Sequence, residues 1–569
     1  MSSGTTPAPY ENLIVTVSSV GYNRFMSSTS ALSVRDSQGE VATPDSVQES
    51  QASTRGLRLK HLWTILPFAI AWFASSIDFI EPYDFWWNVK SGQIMAETGQ
   101  FLARDVLVWT PVREPYYNPQ WGSQLLFHWL YAASPYLLLT VRALIIAATV
   151  GVIMWLSAWK SRSLQAATLA TVIAYLASWT NYGMRPQLFA FLPFVGFYFL
   201  LERKDRYPKW LPLLVPIMFF WVNVHGSFFL GVAMLGIYGF GTVLEKLGST
   251  VGRKWLTSRA AMWQAACFAA AILATLANPY FTQIYNYFFV ATNDPIARAL
   301  NIEWQGPTLY DGTGQLFFIN VLVFAASLYA SRRRLRPTEI LLILAFAYLS
   351  LTSLRNAMWW NWLAAPMTAV NFATWAANRR QQREEAFAPE EATDEEIPNP
   401  KLALEQSEGS QIPNRQELPA MNWLLAVLMV GGALAFTPLW RAANPLVAPA
   451  AKPALAAGTP VDLAAFLKTG SVPSPVFNYM EWGGYLENEL YPQYQMFIDG
   501  RFEARQVPVW NDYLSISRGR ADWQQTLDRY GVRTLILNKE FHEHLIRFAA
   551  DSPTWRTVYD DKAAMVLVR

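Results

Sequence analysis

Residues 210–244 read WLPLLVPIMFFWVNVHGSFFLGVAMLGIYGFGTVL, without a single Lys, Arg, Asp or Glu. The run is longer than one crossing of a ~30 Å apolar layer requires, since about 20 helical residues suffice for that. Its one polar interruption is Asn223-Val224-His225-Gly226. The stretch therefore predicts two membrane helices, 210–224 and 226–244, joined by a tight hairpin.

The same reading extends in both directions. Further apolar runs cover 62–80, 135–157, 164–180, 187–201, 262–277, 315–331, 338–354, 357–376 and 420–440. The expectation is a polytopic α-helical membrane protein with about 11 transmembrane helices. Composition agrees: of 569 residues 52% are hydrophobic and only 15% charged, well below the ~25% of a soluble domain. The 25 Trp suit a chain with long membrane–water boundaries, where an indole is half dry and half wet. A net charge of +3 points to no nucleic acid partner. One cysteine, Cys267, excludes an intrachain disulfide and Cys-based zinc sites.

Basic residues set the orientation. Alternate connections hold Lys160 and Arg162, then Arg203, Lys204, Arg206 and Lys209, then the four between Lys246 and Arg259. Arg332, Arg333, Arg334 and Arg336 follow, and then Arg379, Arg380 and Arg383. These 17 face six in the intervening connections: Lys90, Arg104, Arg113, Arg185, Arg298 and Arg355. The richer set is expected in the cytoplasm, so the N-terminus lies inside. With an odd number of crossings, the C-terminal domain lies outside the cell membrane.

The domain plan follows. Residues 1–60 are polar, rich in Ser and Thr, and lack the apolar region of a signal peptide; they are expected to be a disordered cytoplasmic tail. Residues 61–380 form the transmembrane core, with a long outer loop at 81–134. Residues 381–419, rich in Glu, Pro, Gln and Asn, are expected to be a disordered cytoplasmic linker. The last membrane helix is 420–440, and 460–569 forms a small extracytoplasmic α/β domain. Expected strands there are 476–479, 495–498, 533–537, 557–559 and 564–568, with Asp560-Asp561-Lys562 turning the last two into a hairpin. Expected helices are 508–516, 522–530 and 541–550.

Polar groups near a bilayer cost free energy unless paired or wetted. Sorted by side, those of this chain gather on the outer face: Glu81 and Asp84, Asn118 and Gln120, Arg185 and Gln187, Asn223 and His225, Asn278, Glu303, and Arg355 with Asn356. In Glu81-Pro82-Tyr83-Asp84-Phe85-Trp86-Trp87, a carboxylate at the interface could take a proton from an acceptor hydroxyl; a solvated helix end with aromatic anchors explains the same residues. Arg142, inside the second span, needs a carboxylate or a polar cavity. Arg185 and Arg355 fit helix ends whose side chains reach water, and His225 fits a plain turn. Their common side is the stronger argument.

Asp84-Phe85-Trp86-Trp87-Asn88-Val89-Lys90-Ser91-Gly92 resembles the acidic first-loop motif of bacterial GT-C-type membrane glycosyltransferases, relatives of protein mannosyltransferases and oligosaccharyltransferases. Arg185-Pro186-Gln187-Leu188, Trp221-Val222-Asn223-Val224-His225-Gly226, Asn278-Pro279-Tyr280, Glu303-Trp304, Leu354-Arg355-Asn356, Trp482-Gly483-Gly484-Tyr485-Leu486 and Phe497-Ile498-Asp499-Gly500-Arg501 also fit. The resemblance implies a GT-C-like core that moves a sugar from a polyprenyl-phosphate donor to a glycan, protein or lipid acceptor at the outer face, with inversion. Asp84 would be the general base, with Glu81 as partner. Arg185, Asn223, His225, Glu303, Arg355 and Arg142 would bind substrate, the cationic ones at the departing phosphate. The resemblance permits a divalent metal, which the residues do not support. Pro82 stands where relatives carry the first Asp of an Asp-x-Asp pair. Asn118-Pro119-Gln120-Trp121 stands where they carry Asn-His-Glu-Trp. The alternative function is a non-catalytic polyprenyl-lipid or glycan-binding protein of the cell envelope on the same scaffold.

Overall fold

A computed structural model describes residues 58–386 and 419–569. Most of the expected tail 1–60 and linker 381–419 lies outside the described residues.

Helix occupies all of the expected apolar runs. The first half of the core comprises α1 (Leu59–Ser76), α2 (Phe85–Thr98), α3 (Trp121–Ala133), α4 (Pro135–Ser161), α5 (Leu164–Ala177), α6 (Phe191–Glu202), α7 (Leu214–Val224) and α8 (Phe228–Leu247). The second comprises α9 (Thr250–Leu256), α10 (Arg259–Ala274), α11 (Ile284–Thr292), α12 (Pro295–Leu300), α13 (Gly312–Ser331), α14 (Pro337–Thr352), α15 (Ala357–Ala386) and α16 (Pro419–Ala435). Among the described residues, α4, α8 and α13 are long and apolar enough to cross a membrane by themselves. Six more apolar helices are shorter, at 10–17 residues. Two of these gain length from a 3-10 turn: Pro186–Ala190 leads into α6 and Pro208–Leu213 into α7.

Local chemistry sets the boundaries. Helix α4 begins where Pro135 fits the first turn and the Ser134 hydroxyl accepts the Tyr136 N–H at 3.2 Å. It ends 27 residues later at Arg162, which takes a left-handed conformation. At 1.5 Å per residue this helix is about 40 Å long, so its two ends lie at opposite ends of the core. Aromatic rings fill the interior: Trp359 packs on Phe194 (4.6 Å between centroids) and Trp362 on Phe191 (5.1 Å). Buried amides tie helices together where water is absent. Asn361 donates to the Ala177 carbonyl at 3.0 Å and accepts from Asn320 at 2.8 Å, linking α5, α13 and α15.

Two helices of the outer loop, α2 and α3, were not expected; their apolar positions are too few to signal a span, yet they pack on one another. The C-terminal region contains α17 (Val461–Thr469), β1 (Val476–Asn478), α18 (Met480–Leu490), α19 (Val507–Ser517), α20 (Trp523–Arg529), β2 (Thr534–Asn538), α21 (Glu543–Ala550), β3 (Arg556–Asp560) and β4 (Ala564–Val568). The sheet order is β1-β2-β4-β3, with β1 and β2 parallel and the rest antiparallel. The final hairpin forms as expected. The expected strand 495–498 does not form. Met496 instead makes a single parallel bridge to Val108 of the outer loop, so that segment belongs to a seam between two regions. Helix α18, also unexpected, packs on α2, where the Tyr485 and Trp86 rings meet edge to face at 4.9 Å.

Candidate functional site

Asp84 stands at the start of α2. The rings that follow it fix its position. Phe85 and Trp86 are buried among Phe127, Tyr131 and Tyr485, and the Trp86 indole donates to the Glu81 carbonyl at 2.9 Å. The aromatic pair thus anchors the helix end and leaves the Asp84 carboxylate facing a cavity of about 400 Å³. Gly500 closes over it: a Cβ there would lie 2.6 Å from Asp84 Oδ1, so no side chain fits while the carboxylate holds its place.

Asp84, Arg185, His225, Glu303 and Arg355, which come from five separate segments of the chain, all line this one cavity. Arg185 lies between two carboxylates. Its Nε is 3.7 Å from Asp84 Oδ2, and its Nη1 donates to Glu303 Oε1 at 2.6 Å. Burial raises the Asp84 carboxyl above its ordinary 3.8; Arg185 pulls it down and Glu303 pushes it up. Asp84 still keeps about a third of its side-chain surface open, and that opening faces the cavity. Glu303 is held below the ordinary range: Arg185 and Arg355 outweigh its burial.

Arg355 differs from Arg185. Its guanidinium lies over the Trp304 ring at 4.7 Å, and among the described residues no ion pair or hydrogen bond engages it. His225 is no cation here. Burial, with the Arg355 charge, drives its pKa down to about 3. The Ser227 backbone N–H donates to its Nδ1 at 3.0 Å, so the neutral ring carries its proton on Nε2. The ring at the cavity wall is thus a neutral donor.

Gly500, Arg501, Phe502 and Glu503, from the C-terminal region, complete the wall. Arg501 is clamped. Its Nε donates to Asp499 at 2.8 Å, its Nη2 lies 3.0 Å from Asp105 of the outer loop, and its plane covers Trp87 at 4.9 Å. Arg505 also pairs with Asp105. Buried beside them is Glu487, whose carboxyl is pushed well up by burial and by Asp499. Asp499 moves the other way, lowered by Arg501 and Arg505 against its burial.

Three expected site residues do not line the cavity. Glu81 is exposed, and its backbone carbonyl serves Trp86. Arg142 is buried in a structural cluster, paired with Asp78 and donating to the Tyr182 carbonyl at 2.8 Å. Asn223 ties the hairpin, accepting from Trp121 at 3.0 Å and donating to the Ala277 carbonyl at 2.9 Å. Conversely, Arg501 and Glu503 went unrecognised because Asp499-Gly500 reads as a turn. The charge density of Asp499-Gly500-Arg501-Phe502-Glu503 was the available signal. Among the described residues no three His, Cys, Asp or Glu side chains gather as a metal site. Between Asp84 and Glu303, where a cation would bridge them, stands Arg185.

No family model and no curated protein matches the chain. Solved structures do resemble it. The archaeal oligosaccharyltransferase AglB from Archaeoglobus fulgidus, in complex with an inhibitory peptide and a dolichol-phosphate, is 12% identical with a TM-score of 0.44, over 84% of this chain and 70% of that one. The apo form of the Archaeoglobus fulgidus oligosaccharyltransferase is 10% identical with a TM-score of 0.46, over the same shares. ArnT from Cupriavidus metallidurans in the apo state is 14% identical with a TM-score of 0.45, over 89% of this chain and 97% of that one. These neighbours are GT-C superfamily membrane glycosyltransferases. At such identities and scores the likeness carries no weight for the chemistry, which rests on the cavity itself.

Proposed function

We propose that this chain is a membrane glycosyltransferase that transfers a sugar from a polyprenyl-phosphate donor to an acceptor hydroxyl at the outer face. The observation that carries the reading is the cavity's charge arrangement: a carboxylate with a raised pKa, Asp84, and a cation that among the described residues has no ion pair or hydrogen bond, Arg355, share one pocket. Aromatic and aliphatic side chains such as Phe229, Leu230, Phe288 and Leu349 line the same cavity, as a lipid-borne substrate would require.

In the step we infer, the acceptor O–H gives its proton to the Asp84 carboxylate. The acceptor oxygen bonds to the anomeric carbon from one side. The bond from that carbon to the phosphate oxygen breaks on the other side, and the electron pair leaves with the lipid phosphate. Arg355 faces the departing charge, supported by the His225 Nε2–H, as electrostatic stabilisation requires. The product is inverted. Arg185 holds Asp84 ionised and oriented.

Orientation belongs to the same reading. Lys160, Glu202, Arg333, Arg336 and Glu339 meet at the Ser161 end of α4; α3, whose neighbour Gln120 lines the cavity, precedes its Pro135 end. The positive end is taken as cytoplasmic. Eleven crossings then put the C-terminal domain outside.

Membranes carrying the protein, supplied with labelled polyprenyl-phosphate sugars, test the activity. Turnover by wild type that vanishes in Asp84→Asn is expected, and equal turnover in both would sink the base assignment. Lipid binding without turnover of any donor would leave a binding protein. A phosphatase active only outside the cytoplasm, fused at Arg569, should be active; an inactive fusion reverses the sides.

A further inference from the structure

Charged cavity residues divide into those the protein satisfies and those it leaves open. Arg185 is engaged by Asp84 and Glu303, and Arg501 by Asp499 and Asp105. Arg298 donates to the Thr292 carbonyl at 2.7 Å. Arg355 and Glu503 remain. Among the described residues Glu503 makes no ion pair, and its only hydrogen bond is to its own backbone amide. It is half-buried at the cavity wall, and with a single backbone donor its carboxylate keeps acceptor positions open.

The residue is also held firmly. It sits in the short turn Phe502–Ala504. On one side is the clamped Arg501. On the other, the Ala504 carbonyl accepts the Arg113 N–H at 2.9 Å. The Phe502 ring stacks on Trp510 at 4.8 Å. A rigid backbone around an unsatisfied side chain is how a fold presents a binding group.

Its position is informative. Glu503 lines the same cavity as Arg355 and Asp84, the groups assigned to the leaving phosphate and to the attacking hydroxyl. Between those two, in an in-line displacement, lies the transferred sugar. Trp87, Trp304 and Trp359 line the same cavity. A carboxylate at such a place can accept two hydrogen bonds from neighbouring hydroxyls. We propose that Glu503, supplied by the C-terminal domain, grips the hydroxyls of the transferred sugar and so selects the donor. The proposal rests on the glycosyltransfer reading above.

Binding, rather than turnover, separates the two. Purified wild type, Glu503→Gln and Arg355→Ala would be titrated with polyprenyl phosphate and with polyprenyl-phosphate hexoses bearing glucose, galactose or mannose. Wild type should bind at least one hexose lipid more tightly than the bare lipid. Glu503→Gln should lose on the order of tenfold for that hexose lipid alone, whereas Arg355→Ala should weaken both lipids. Glu503→Asp, which keeps the charge but withdraws it by one methylene, should fall between. If wild type binds none of these lipids, the glycosyltransfer reading fails and this proposal with it. If wild type binds them but does not prefer a hexose lipid, or Glu503→Gln changes both lipids equally or neither, the assignment of Glu503 is wrong while the reading of the cavity stands.

Discussion

Two charge clusters lie near opposite ends of the core, and they are built differently. At the Ser161 end of α4, Lys160 donates to Glu202 at 2.8 Å and to Glu339 at 3.2 Å. Arg333 donates to both oxygens of Glu339 at 2.6–2.7 Å, and Arg336 and the Tyr238 hydroxyl both reach Glu202. Each carboxylate takes several donors, and none of these five charged side chains is without a partner. Around the cavity, Arg185, Asp84 and Glu303 are joined, but among the described residues Arg355 and Glu503 have no ion pair. Removing charge from water is costly. The inner cluster offsets that cost within the protein and has the character of a structural joint. The outer one offsets it only in part, which is how a site awaiting a ligand differs from a joint.

The comparison can be broken by substitution. Asp84→Asn should lower kcat/KM by about 10²–10⁴-fold, the usual worth of a positioned base, with thermal stability unchanged; a normal rate returns the outer cluster to structural status. Glu339→Gln at the inner cluster should do the reverse. It strands buried cations and should cost about 3–5 kcal/mol of stability, read by thermal unfolding in detergent, with the rate per folded molecule retained.

A smaller effect is expected from pH. Asp84 must be ionised to act as a base. Burial raises its folded pKa above 3.8, so kcat/KM should fall with acid at a pH above that of an ordinary aspartate. His225, at about 3, is neutral throughout, and His225→Gln should leave the acid limb in place. A limb that moves on this substitution would show that the histidine titrates. The smallest effect belongs to Arg336→Ala. Its side chain is 48% exposed, and a solvent-screened pair contributes at most about 1 kcal/mol. A loss as large as that from Glu339→Gln would mean that the inner joint depends on its rim.

Sequence and structure contributed unequally to the site. Asp84, Arg185, His225, Glu303 and Arg355, which line one cavity, were each visible as a polar residue stranded beside an apolar run. Arg142 gave the same signal but is a structural pair with Asp78; hydropathy registers a buried charge without registering its partner. Asp78, 64 positions away in sequence, is invisible to any local reading. Glu503 gave only a faint signal, the charge density of Asp499-Gly500-Arg501-Phe502-Glu503, because polar residues are ordinary in that stretch. Segment 495–498 looked like a strand from its side chains, but its pairing goes to Val108 of the outer loop.

The sequence by itself determined the long apolar helices, since apolar runs and their polar breaks are properties of neighbouring residues; α2, α3 and α18 were not legible that way. It also marked the polar groups beside those runs. Only the tertiary structure decided which of those groups share a cavity, which are already satisfied, and that the C-terminal region supplies a wall of it. Pairing between residues hundreds of positions apart depends on packing, and in a charge cluster it is the pairing that separates a joint from a site.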